Sequence, residues 1–109
     1  MLERRKYPRV EISFPVECDL IQEKSYFYTV SRDLSVAGLK IITNRFLPKN
    51  DILKVNINLI DKVLDIHARV DWCVQTRSPE SYWAGLEFID TNERDRRDLS
   101  QFLNSINHA

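Results

Sequence analysis

Residues 64–75, Leu64-Asp65-Ile66-His67-Ala68-Arg69-Val70-Asp71-Trp72-Cys73-Val74-Gln75, decide the fold class. Leu64, Ile66, Ala68, Val70, Trp72 and Val74 fall on one face, and Asp65, His67, Arg69, Asp71 and Gln75 on the other. Side chains repeat every two residues along a strand but only every 3.6 or so along a helix, so this alternation reads as a half-buried β-strand. One face belongs to a core and the other to solvent.

The same period marks the segments on either side. Phe14, Val16, Cys18 and Leu20 alternate with polar neighbours, and Pro15 places them at a strand's beginning or at a sheet edge. After the polar break 22–25, the aromatic and β-branched run 26–31 favours a second strand, paired with the first as a hairpin. A third strand over 39–43 follows Gly38, and the turn Pro48-Lys49-Asn50-Asp51 leads to a fourth over about 52–60. Asp61-Lys62 turns the chain into the strand already described. A loop through Ser78-Pro79-Glu80 then precedes a sixth strand over 82–89. There the period changes: Leu99, Phe102, Leu103 and Ile106 repeat as on a helix, with Asp90 as its cap and Glu93 three residues on. The expectation is an all-β domain with one helix. It comprises a flexible arginine-rich arm (1–9), a six-stranded antiparallel β-barrel (10–89) and a C-terminal α-helix (90–107), all in one domain, 1–109.

At 109 residues, 43% of them hydrophobic, the chain can build a core without disulfides or metals. Its 16 basic residues equal its 16 acidic ones, which argues against a DNA or RNA partner and leaves any anion binding to local clusters. Cys18 and Cys73 fit no zinc spacing, and no segment approaches the roughly 20 apolar residues that span a bilayer. A reduced cytoplasmic protein without membrane insertion is expected. Cys18 falls on the inner face, while Cys73 falls on the outer one. His67 and His108 are isolated, and no nucleophile–base or carboxylate pair is signalled, so neither an enzyme nor a metal site is expected.

Two stretches carry chemistry. Arg4-Arg5-Lys6-Tyr7-Pro8-Arg9 puts four cations in six residues, and Asp33-Leu34-Ser35-Val36-Ala37-Gly38 combines an acid, a hydroxyl and one of the chain's two glycines. Guanidinium groups bond phosphate and the O6/N7 edge of guanine in pairs and stack on flat rings. A carboxylate accepts from adjacent N–H donors such as guanine N1 and N2. Arg5, Arg9 and Asp33 therefore suit a guanine nucleotide, with Ser35 donating to it and Gly38 allowing either a positive φ or a close approach. Taken singly, the first stretch reads more readily as a solvated basic tail, and the second also reads as a self-bonded turn. Trp72 could stack on a guanine, but its parity with Val70 and Val74 favours the core. Trp83 shares the parity of Gly85 and Glu87, which leaves it open to a ligand or a partner.

Arg5-x-x-x-Arg9 followed by Asp33-x-Ser35-x-x-Gly38 resembles the paired signature of the PilZ domain, a bacterial receptor for cyclic di-GMP. Pro15-Val16, Val70-Asp71-Trp72 and Gly85-Leu86-Glu87-Phe88 are similar to that family's usual order, so the likeness spans nearly the whole chain. The resemblance implies that the arm folds over the barrel when cyclic di-GMP binds, with Arg5 and Arg9 on guanine and phosphate and Asp33 and Ser35 gripping from the wall. It also implies that an arginine at the position of Arg4 favours a stacked pair of ligands. No cofactor beyond the ligand is implied, and the rearranged surface would signal to an effector protein. The alternative from another class is a nucleotide-independent protein-interaction barrel whose arm docks an acidic partner. Single-strand nucleic-acid binding would want aromatics interleaved with cations along a face, and the strand acids oppose it.

Overall fold

The computed structural model describes residues 13–22 and 25–107. The arm expected over 1–9, with Arg4, Arg5 and Arg9, and His108 lie outside the described residues. Six strands, β1 (Pro15–Leu20), β2 (Ser25–Arg32), β3 (Gly38–Thr43), β4 (Ile52–Asn58), β5 (Val63–Gln75) and β6 (Tyr82–Asp90), precede one helix, α1 (Glu93–Asn107). They form a closed barrel in the order β1-β2-β3-β6-β5-β4, with every pairing antiparallel. The expected fold class is thus the one observed.

Alternation fills the barrel. Val16, Cys18 and Leu20 from β1, Leu53, Val55 and Ile57 from β4, and Leu64, Ile66, Ala68 and Val70 from β5 are all buried in one core. Leu99 and Leu103 of α1 join it at one mouth of the barrel. There Phe102 meets Phe14 edge-on, with ring centroids 5.2 Å apart. Phe14 is also held from β2. Its N–H donates to Ser31 Oγ at 3.2 Å, and its carbonyl accepts from Ser31 N–H at 2.8 Å.

Three expectations need correcting. The helix cap is Asn92 rather than Asp90: Asn92 Oδ1 accepts from Asp95 N–H at 2.8 Å, and Asn92 Nδ2 donates back to Asp95 Oδ2 at 3.2 Å. Asp90 is still strand, in register with His67, so the helix begins later. The fourth strand stops at Asn58, because Leu59 N–H bonds Lys62 O at 2.8 Å and closes the turn with Ile60 at a φ of 80°.

The third concerns Trp72, which is not in the core. Val70 pairs with Leu86 and Trp72 with Gly85, so β5 spends one more residue than β6 at Asp71. Such a bulge reverses the parity of every later residue in the strand. Trp72 and Val74 are accordingly exposed, while Cys73 turns inward, packs against the core and accepts from Leu47 N–H at 3.4 Å.

Burial pushes the Cys18 thiol up to about 12, from 9.0. The unfolded chain loses this proton first as pH rises, so Cys18 contributes its stability below about pH 9 and loses it between there and about pH 12. Urea unfolding at stepped pH should show that decline, with a shallower slope for Cys18→Ala. In the native chain, iodoacetamide should modify Cys73 well before Cys18; equal rates would contradict the burial.

Candidate functional site

The loop from β2 to β3 is shaped by its own side chains. Asp33 sits in the left-handed region at a φ of 52°, which aspartate tolerates better than most residues. Leu34 is buried in the core and pins the loop, so Asp33 and Ser35 are set at the barrel rim. Ser35 N–H donates to Gly38 O at 2.9 Å, and Ser35 Oγ accepts from Ala37 N–H at 3.1 Å and approaches Gly38 O at 3.4 Å. The hydroxyl therefore first stabilises the loop that carries it. Phe88 N–H donates to Ala37 O at 2.9 Å, which ties the loop's far end to β6.

Gly38 does not have a positive φ. Its role is room: a Cβ there would overlap the Leu86 carbonyl oxygen and lie 3.3 Å from Glu87 Cα. Gly85, opposite Lys40 on one side and Trp72 on the other, is covered by the Trp72 indole, which a Cβ would strike. The tryptophan that the bulge turned outward thus lies over a glycine.

Between these pieces lies an open cleft of about 410 Å³ lined by Asp33, Ser35, Gly38, Lys40, Asp71 and Trp72, with 85–87 of β6 forming its floor. Lys40 Nζ stands 3.3 Å from Asp33 Oδ2 and 4.8 Å above the Trp83 ring, so it orients the carboxylate while resting on an aromatic face. Glu87, paired with Arg69, closes one side. The lining holds three carboxylates (Asp33, Asp71 and Glu87) and one ammonium.

The structure therefore brings Asp33, Ser35, Gly38 and Trp72 to one cleft. Arg4, Arg5 and Arg9 fall outside the described residues. Lys40, Asp71, Gly85 and Glu87 were not anticipated there. Lys40 was readable in principle, since it lies between inward-facing Leu39 and Ile41, whereas the other three depend on strand register. Among the described residues no group of His, Cys, Asp and Glu could hold a metal ion, and no helix is long and apolar enough to cross a membrane.

The family model for the PilZ domain matches residues 3–105. The chain belongs to the PilZ domain family. Solved structures share the fold. The Bacillus subtilis inhibitor of motility MotI/DgrA is 18% identical with a TM-score of 0.83, over 98% of this chain and 53% of that one. The PilZ domain of Escherichia coli YcgR with c-di-GMP is 16% identical with a TM-score of 0.74, over 97% and 93%. The MrkH–c-di-GMP complex of K. pneumonia is 20% identical with a TM-score of 0.79, over 98% and 54%. The chain spans about half the length of MotI/DgrA and MrkH. Among curated proteins none matches its sequence.

The two glycines should respond differently to the same methyl group. Gly38→Ala forces backbone apart and should cost about 2–4 kcal/mol in chemical denaturation. Gly85→Ala displaces only the Trp72 side chain. It should cost about 1 kcal/mol or less and shift Trp72 emission to the red in a Trp83→Phe background. Equal losses for the two would refute this assignment.

Proposed function

We propose that this PilZ domain is a receptor for cyclic di-GMP and not a catalyst. The observation that carries the reading is the convergence of Asp33, Ser35, Gly38 and Trp72 on one open cleft in a chain whose family match begins at residue 3, ahead of Arg5-x-x-x-Arg9. Cyclic di-GMP offers two guanines and two phosphates. Asp33, already oriented by Lys40, accepts from guanine N1–H and N2–H, and the Trp72 indole offers a flat face beside it. Ser35 holds the loop in shape and has an oxygen at the rim.

The charge of the cleft explains the need for the arm. Lys40 is engaged with Asp33 and Arg69 with Glu87, so the cations for a phosphodiester come from elsewhere. Arg5 and Arg9 supply them, on guanine and phosphate, and Arg4 favours a stacked pair of ligands. Binding thus draws the N-terminal arm onto the barrel and alters the surface presented to an effector protein. Solved structures of YcgR and MrkH are complexes with c-di-GMP, which supports the same ligand here. The two free thiols accord with action in the reducing cytoplasm.

Isothermal titration tests the reading. Cyclic di-GMP should give saturable heat with two ligands per chain, and GTP or cyclic di-AMP should compete poorly. Arg5→Ala, Arg9→Ala and Asp33→Ala should each weaken binding by about 1.5–3 kcal/mol, the scale of a charge-assisted contact. No saturable signal at tens of micromolar would overturn it, and an acidic partner bound without guanine preference would favour the nucleotide-independent barrel.

A further inference from the structure

The barrel is closed by a short seam between β2 and β3. β2 pairs with β1 from Ser25 to Val30, but on its other side only Ser31 and Arg32 have register partners, Ile41 and Lys40 of β3. Beyond them the ladder stops. Thr29 Oγ1 reaches over to donate to Ile42 O at 2.6 Å, a side chain taking the place of a ladder N–H. β3 ends at Thr43, so 26–30 form a strand edge that faces no ladder partner among the described residues. A groove of about 550 Å³ lies along this edge, with Phe27, Tyr28 and Val30 on one bank, Ile42 on the other, and Glu80 and Ser81 at its lip.

Natural sheets blunt their edges with lysine, proline, bulges or inward charges, because an unpaired edge recruits other strands. This edge has none of these. Tyr26-Phe27-Tyr28-Thr29-Val30 is uncharged and made of strong strand formers, and Tyr26 and Tyr28 are 53% and 71% exposed. Only 26–30 lack a partner on this side, a length that suits one extended segment. Its one ionised lining group is Glu80.

We propose that the seam docks a single extended segment of a partner protein, paired to β2 by backbone hydrogen bonds, apolar at alternate positions and carrying a lysine or arginine at the Glu80 lip. Main-chain bonds give such a complex its affinity and alternate side chains its specificity. β3 serves both places, with Gly38–Lys40 lining the cleft and Ile42–Thr43 lining the groove. Docking does not depend on what the cleft binds, so the two readings fail separately.

The probe is the peptide acetyl-Lys-Thr-Val-Thr-Val-Lys-amide, titrated into the ¹⁵N-labelled full chain without nucleotide. Amide shifts and slowed hydrogen exchange should be confined to 26–30, 42–44 and 80–81, and a proline in place of the first valine should abolish them. The counterpart with glutamate for lysine should bind several-fold more weakly, and Glu80→Lys, on an exposed loop, should reverse that order. The proposal is overturned by no shifts at millimolar peptide, shifts centred elsewhere, no response to the Glu80 reversal, or sedimentation showing that the free chain pairs with a second copy through this edge. Peptide binding that appears only after deletion of residues 1–9 would also overturn it, by giving the seam to the chain's own arm.

Discussion

Between β3 and β6 the barrel closes with no space for a side chain. Gly38 stands against the Leu86 carbonyl, and the strands can meet there only because no Cβ intervenes. That contact fixes the C-terminal end of the loop whose other anchor is Leu34, and Ser35 and Ala37 complete the loop's internal bonds and its tie to Phe88. Asp33 is then displayed at the rim in a left-handed conformation, within reach of Lys40. The chain has only two glycines, and the other is used two register positions away to seat Trp72. Shape at the cleft is therefore bought with backbone space.

Charge is arranged differently. Asp33, Asp71 and Glu87 line the cleft, with Lys40 engaged by Asp33 and Arg69 by Glu87. On the proposed reading, recognition divides into two parts, with a carboxylate for the base and separate arginines for the anion. The neutral total of the sequence, with 16 charges of each sign, conceals this division because its halves lie at opposite ends of the signature.

Much of the fold was legible because it depends on a simple period. The alternation in 64–70 and the four-residue spacing in 99–106 survive intact in β5 and α1. What failed was local. One extra residue at Asp71 reversed the faces of Trp72, Cys73 and Val74, and nothing in an alternating string signals a bulge, since alternation continues through it. The cap moved from Asp90 to Asn92 because strand pairing with His67 outcompeted an earlier helix start. In the cleft, Asp33, Ser35 and Gly38 were legible as neighbours in sequence. Gly85, Asp71 and Glu87 arrive by register across three strands, which no single segment encodes.

Phe14 is the last core residue before β1, and it is gripped from two directions, by Ser31 of β2 through paired backbone and hydroxyl bonds and by Phe102 of α1 through ring contact. On the proposed reading, in which the arm moves, Phe14 is the joint through which that movement would reach β2 and α1, the two elements that hold it.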